Sequence, residues 1–175
     1  MLIVITGGAA SGKSAHAERI LCERAAEGKR LYLATMQPFG AVAQARMRRH
    51  HKLRAGKGFE TVERYTGLDK LVLDKPYDGI LLECMSNLLA NEQFSPEGAG
   101  GQAVSAILSG IEALQRQCKD LVIVTNEIFS DGEVYPAETM QYMQMLGQLN
   151  CALAARADAV LYTVCGIVLQ QKGMV

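Results

Sequence analysis

Residues 2–14 read Leu2-Ile3-Val4-Ile5-Thr6-Gly7-Gly8-Ala9-Ala10-Ser11-Gly12-Lys13-Ser14, an apolar run that breaks at two glycines and closes on Gly-Lys-Ser. The spacing from Gly7 to Lys13-Ser14 satisfies the phosphate-binding loop pattern in full. Gly7 and Gly12 let the backbone curl, so that N–H groups along Gly7, Gly8, Ala9, Ala10, Ser11 and Gly12 can point inward at phosphate oxygens. A helix beginning near Lys13 adds its positive dipole end. Lys13 then meets the β and γ phosphates, and the Ser14 hydroxyl becomes a ligand for Mg²⁺. A ligand-free glycine turn is the competing reading. It is set aside because a β-branched strand precedes the loop and an amphipathic helix follows it.

The chain has 175 residues, enough for one domain with a real core, and residues 1–175 are expected to form a single nucleotide-binding transferase domain. Lys plus Arg and Asp plus Glu both number 18, so no global field points to nucleic acid or an anionic membrane as partner. The N-terminal apolar run meets Gly7-Gly8 too soon for a signal peptide or a membrane span, which predicts a cytoplasmic protein. The cysteines Cys22, Cys84, Cys118, Cys151 and Cys165 are widely spaced with no CxxC. That pattern argues against a zinc site or disulfide framework and predicts buried free thiols.

Beyond the loop, Ser14 to Ala26 has the spacing of a helix, and Arg30 to Thr35 reads as a strand with Leu31 and Leu33 on one face. Gly40 to Arg54 is a long basic helical stretch, and Phe59 to Glu63 a short strand. Gly79 to Glu83 is a continuous apolar run ending in an acid, the pattern of a central parallel strand buried on both faces. A loop over Ser95 to Gly101 is followed by a helix from Gln102 to Gln117, a strand from Leu121 to Thr125, a helix from Pro136 to Ala157 and a strand from Ala159 to Val164. Strands alternating with helices predict an α/β protein with a mostly parallel central sheet. With the opening motif, this is a P-loop NTPase of the RecA-like, three-layer kind. Ligands of such sheets lie outside the carboxyl ends of the strands, which singles out Thr35-Met36-Gln37, Glu83 and Asn126-Glu127.

Glu83, at the end of its apolar strand, is the candidate acid that holds Mg²⁺ directly or through water; Glu127 is the alternative. A second concentration of chemistry runs Arg46-Met47-Arg48-Arg49-His50-His51-Lys52-Leu53-Arg54, with no acid before Gly58. It reads either as a solvated basic face or as a phosphate site. Guanidinium groups keep a nearby imidazole neutral and nucleophilic near pH 7, while the cations stabilise phosphate charge. Neighbouring histidines on a helix point about 100° apart, so the pair is not read as a metal chelate. His16 reads as an ordinary helix residue, and Met140, Met143 and Met145 as a soft apolar surface for core or subunit contact.

The assembled motifs resemble the bifunctional adenosylcobinamide kinase / adenosylcobinamide-phosphate guanylyltransferase family of cobalamin biosynthesis. The likeness runs almost end to end: VITGGAASGKSAHAE at the start, LYLAT, Arg46-Met-x-x-His50-x-x-x-Arg54, Thr61-Val62-Glu63, LLECMSNLLANE, VTNE, and Leu149-Asn150-x-x-Leu153-Ala154-x-x-Ala157-Asp158. The resemblance implies two reactions. Adenosylcobinamide takes the γ-phosphoryl group of ATP or GTP, with Lys13, Mg²⁺ and the loop amides positioning and stabilising charge. A histidine then attacks the α-phosphate of GTP, and adenosylcobinamide phosphate takes the GMP. The R-x-x-x-H-x-x-x-R spacing makes His50 that nucleophile, whereas counting back from Phe59 favours His51. The family's guanine-nucleotide site maps onto Thr35, Met36 and Gln37, onto His51, Lys52, Leu53 and Arg54, and onto Glu63 and Glu83. A homotrimer is implied as well.

One segment departs from the family pattern. After VTNE, relatives carry a glycine-rich loop and an arginine-bearing helix, whereas this chain has Ile128-Phe129-Ser130-Asp131-Gly132-Glu133-Val134-Tyr135-Pro136 and then the arginine-free TMQYMQMLGQL. The departure touches the corrinoid half of the assignment and leaves the nucleotide half intact. A P-loop kinase of another small alcohol and a nucleotide-binding regulatory module are the alternatives.

Overall fold

The computed structural model describes the backbone of residues 1–175 and the side chains of all of them except Val42, Ala43, Arg46, Arg49, His50, His51 and Leu53. The apolar runs become strands: Leu2–Gly7 (β1), Arg30–Ala34 (β2), Phe59–Glu63 (β3), Tyr77–Glu83 (β4), Cys118–Val124 (β5), Ala159–Val164 (β6) and Ile167–Lys172 (β7). They pair in the order β3-β2-β4-β5-β1-β6-β7. All pairings are parallel except that of β7 with β6. The helices between them are Lys13–Arg24 (α1), Gly40–Arg54 (α2), Met85–Phe94 (α3), Ala103–Gln115 (α4) and Ala137–Arg156 (α5).

Alternation along each strand divides the core into two layers, because successive side chains leave opposite faces of a sheet. Leu2, Val4, Leu31, Leu33, Ile80, Leu82, Leu121 and Ile123 face α3, α4 and α5, meeting Met85, Leu88, Ile107, Ile111, Leu146 and Leu149. Ile3, Ile5, Tyr32, Leu81, Val122 and Val124 face the other way, against Ala17, Ile20 and Leu21 of α1. Each fully buried leucine or isoleucine contributes about 2 kcal/mol of apolar transfer. Helices on both faces of a mostly parallel sheet are the three layers expected from the sequence.

Four differences from the sequence reading have local causes. β4 begins at Tyr77 and β5 at Cys118, earlier than their apolar runs, because Tyr77 pairs with Cys118 across the ladder. Helix α3 was not anticipated, although Met85, Leu88 and Leu89 have helical spacing and are buried. β7 pairs antiparallel at the sheet edge with its side chains largely exposed, so it lacks the apolar alternation that identifies a strand. The cysteines are free as expected, but they are not uniformly buried: Cys151 and Cys165 are exposed. Cys151 lies on an outward face of α5, and Cys165 occupies the turn from β6 to β7 with φ of 51°. Among the described residues, no helix is long and apolar enough to cross a membrane.

Candidate active site

The loop between β1 and α1 is shaped by close approach. A Cβ at Gly7 would lie 2.3 Å from the Thr163 carbonyl oxygen and 2.8 Å from Ser11 Oγ, so only glycine lets the first strand pass β6 here. Gly12, with φ of 95°, is the N-cap of α1; the left-handed backbone it needs is open to glycine at little cost. The Ser11 carbonyl accepts from Gly166 N at 3.0 Å, which ties the loop to the β6–β7 turn. His16 joins the same turn, its Nε2 lying 2.9 Å from the Gly166 carbonyl oxygen, which is the role of a helix residue packed on its neighbour.

The Lys13 ammonium donates to the Gly8 carbonyl at 2.8 Å, which bends the side chain back over the loop. The Ser14 hydroxyl donates to Glu83 Oε1, and the Tyr32 phenol donates to Glu83 Oε2 at 3.2 Å. Adjacent strands produce this meeting: Ala34 pairs with Glu83 across β2 and β4, so Tyr32 and Glu83 leave the sheet on the face where α1 begins. Burial, and then the Glu83 carboxylate, push the Tyr32 phenol far above its ordinary pKa, so it stays a neutral donor. Above the Tyr32 ring stands Arg54, the last residue of α2, with its guanidinium carbon 3.3 Å from the ring centroid. Arg54 is 6% exposed, and its Nη1 has no hydrogen-bond partner among the described residues.

These groups line one cavity of about 490 Å³. It is lined by the loop from Ala9 to Ala15, by Met36, Met47, Arg54 and Glu63, and by Tyr32 and Glu83. At the ends of β4 and β5 it is closed by Cys84, Ser86, Asn87, Asn126 and Ile128. Asn126 Nδ2 donates to Ser86 Oγ at 2.5 Å, and Cys84 Sγ lies 3.1 Å from the same hydroxyl. Burial raises the Cys84 thiol above its ordinary pKa, which leaves it neutral and unsuited to attack.

Ala9, Ala10, Ser11, Gly12, Lys13, Ser14, Met36, Arg54, Glu63 and Glu83 are thus brought to one space, whereas Gly7 and Gly8, which precede the lining part of the loop, are not among its lining residues. Thr35, Gln37 and Lys52 are not among its lining residues. Thr35 is buried between strands, its hydroxyl donating to the Cys84 carbonyl at 2.8 Å; Gln37 reaches Ser95; Lys52 is exposed. The side chains of His50, His51 and Leu53, named from the sequence, and of Arg46 beside them, lie outside the described residues. Glu127 accepts from Phe129 N at 2.8 Å and Ser130 Oγ at 2.9 Å, fixing the turn that follows β5. Asn126, singled out from the sequence at its strand end, does line the cavity, whereas the sequence reading gave no site role to Tyr32, Met47 or Ser86. Ser86 was legible only as a residue after a strand-end acid, and Tyr32 only as the alternate face of a strand.

The Ser14 hydroxyl and the Glu83 carboxylate are hard oxygen donors side by side, a set that fits Mg²⁺. Among the described residues no cluster of three or more His, Cys, Asp or Glu could hold a metal by itself. A site of one hydroxyl and one carboxylate leaves its other positions to phosphate and water, as Mg²⁺ prefers.

A sequence profile for cobinamide kinase / cobinamide phosphate guanyltransferase matches residues 3–171. The bifunctional adenosylcobalamin biosynthesis protein CobU of Escherichia coli is 34% identical over 185 residues, covering 98% of this chain and 100% of that protein. Its counterpart in Salmonella typhimurium is 33% identical with the same coverage, and CobP of Pseudomonas aeruginosa is 28% identical over 97% of this chain and 96% of that one. Among solved structures, the flagellar accessory protein FlaH of Methanocaldococcus jannaschii superposes with a TM-score of 0.52 at 16% identity, over 98% of this chain and 78% of that one. The ATPase domain of G40P superposes with a TM-score of 0.50 at 8% identity, over 92% and 68%. These last two are likenesses of fold, in keeping with a RecA-like P-loop architecture.

Proposed function

The chain belongs to the cobinamide kinase / cobinamide phosphate guanyltransferase family, and we propose that its one nucleotide cavity serves both reactions, with Lys13 acting at the γ-phosphate and His50 at the α-phosphate. The observation that carries this reading is the composition of the cavity. Loop, strand-end acid and the last residue of the basic helix line a single space.

For phosphoryl transfer, the loop amides from Ala9 to Gly12 and the Lys13 ammonium hold the β and γ phosphates. The transition state is loose, so positioning and charge stabilisation carry the rate. Mg²⁺, held by Ser14 and Glu83, supplies neutralisation of phosphate charge. Arg54 supports the same end, since its buried Nη1, without a partner among the described residues, calls for an anionic or carbonyl oxygen. Tyr32 holds both Arg54 and Glu83 in place.

For guanylyl transfer, a neutral imidazole nitrogen attacks the α-phosphorus. A nitrogen–phosphorus bond forms, the bond to the bridging oxygen breaks and pyrophosphate leaves. The phosphate of the phosphorylated acceptor then displaces the histidine and takes the GMP. Sequence spacing supports His50: Met47 and Arg54, seven residues apart on α2, both line the cavity, and positions three or four from each belong to the same helical stripe. His51 meets that spacing too. Of the nucleotide-binding residues inferred from the family, Met36, Arg54, Glu63 and Glu83 are the best supported. Thr35, Gln37 and Lys52 would act through backbone groups or in a rearranged cavity; the Leu53 side chain lies outside the described residues. The reading includes a cytoplasmic, single-domain enzyme working as a homotrimer.

The test uses GTP labelled at the α-phosphorus. Acid-labile label on the protein, absent in His50→Ala and retained in His51→Ala, is the expected result. The reverse pattern transfers the role by one residue. No label in the unaltered protein would leave a kinase alone.

A further inference from the structure

We propose that Ser86 and Asn126 form the subsite that receives the acceptor alcohol during phosphoryl transfer, an assignment that rests on the kinase reading above. They follow the adjacent ends of β4 and β5 and line the same cavity as the phosphate-binding loop, which Glu127, the residue after Asn126, meets by donating its N–H to the Gly7 carbonyl at 3.0 Å. In-line displacement requires the acceptor to meet the γ-phosphate from the side opposite the leaving nucleotide, and the assignment gives this end of the cavity that role.

The hydrogen bonds assign the chemistry. Asn126 spends its amide N–H on Ser86 Oγ at 2.5 Å, and its Oδ1 has no hydrogen-bond partner among the described residues. A carbonyl oxygen repels a phosphate oxygen and attracts an O–H. Ser86 Oγ accepts from Asn126, so its own proton is directed toward Cys84 Sγ or toward a second oxygen in the cavity. The pair therefore offers one acceptor and one donor side by side, the complement of an alcohol.

The subsite is also built to stay in place. Tyr142 donates to the Ser86 carbonyl at 2.9 Å, and its ring lies 6.3 Å from that of Phe94. Asn150 donates to the Asn126 carbonyl at 3.2 Å and accepts from Thr125 Oγ1 at 2.6 Å. Such second contacts fix the side chains of a site to the tolerance that phosphoryl transfer demands. In the step itself, the alcohol oxygen forms a bond to the γ-phosphorus, and the bond from that phosphorus to the β–γ bridging oxygen breaks. The nucleoside diphosphate leaves, and the alcohol proton passes to an oxygen of the transferred group and then to water. Asn126 and Ser86 orient the alcohol without taking the proton.

Initial-rate kinetics of Ser86→Ala and Asn126→Ala, with cobinamide as acceptor and ATP as donor, separate the possibilities. Each variant is expected to raise the KM for cobinamide about tenfold, the value of one hydrogen bond of about 1.4 kcal/mol, with the KM for ATP unchanged. Ser86→Thr, which keeps a hydroxyl, should recover most of the loss. Labelling by α-labelled GTP without cobinamide should be normal in all three, which shows that the variants fold. An unchanged KM for cobinamide, or a parallel rise for ATP with loss of labelling, would overturn the assignment. No phosphoryl transfer to cobinamide by the unaltered protein would overturn the parent reading along with it.

Discussion

Arg54 sits over the face of Tyr32, guanidinium carbon 3.3 Å from the ring centroid, and the phenol donates to Glu83 at 3.2 Å. The stack joins the end of the basic helix to the acid at the end of β4. Tyr32→Phe keeps the ring under Arg54 and removes only the bond to Glu83. Its expected effect is a rise of about fivefold in the nucleotide Kd, equivalent to about 1 kcal/mol, with little change in the unfolding midpoint. Tyr32→Ala removes the platform as well and should cost about 3 kcal/mol of stability in urea titration.

The segment after α2 is held by a second contact. Glu18 of α1 has no exposed surface, and the Lys57 ammonium meets its Oε2 at 2.6 Å. Lys57→Met would leave a buried carboxylate unpaired. Because the Lys57 side chain is partly exposed, water can take over some of the contact, and a loss of about 2 kcal/mol is expected. Glu18→Leu in the same chain should restore most of it, as measured by thermal unfolding of the double variant.

Gly7 passes too close to β6 for any side chain. Gly7→Ala would drive its methyl against the Thr163 carbonyl, with an expected cost of about 2 kcal/mol. Nucleotide affinity should fall with stability, because the same displacement moves the loop amides.

Stability should fall at alkaline pH for a specific reason. Burial pushes the Tyr142 phenol from its ordinary 10.0 up to about 12. The folded state therefore binds a proton that the unfolded chain releases. The contribution is present in full below the ordinary value and is lost as pH rises through about 12. Tyr142→Phe should flatten the decline of the urea midpoint in that range.

The parts legible in the sequence were those whose chemistry is local. The glycines and Lys13-Ser14 declare a phosphate loop because spacing along the chain sets that geometry. Glu83 could be placed because a strand buried on both faces must end where its apolar run ends. Ser86 and Asn126 could not be paired in this way. Forty residues separate them, and they meet only because β5 inserts between β4 and β1. Tyr32 was read for its strand, whereas its hydroxyl matters through a neighbour on β4. Helix α3 carried its periodicity openly at Met85, Leu88 and Leu89, but the run is short and follows the strand end directly. β7 lies on a sheet edge, where no burial constrains its pattern.

The central claim is that one cavity serves both transfers, and Lys13→Met tests it most directly. Phosphoryl transfer to cobinamide and histidine labelling from α-labelled GTP should be measured on the same preparation. Both should fall by about a hundredfold or more, the scale on which preorganised charge acts on transferring phosphates. A variant that loses phosphoryl transfer yet labels its histidine at the normal rate would contradict the account, because the two reactions would then use separate sites.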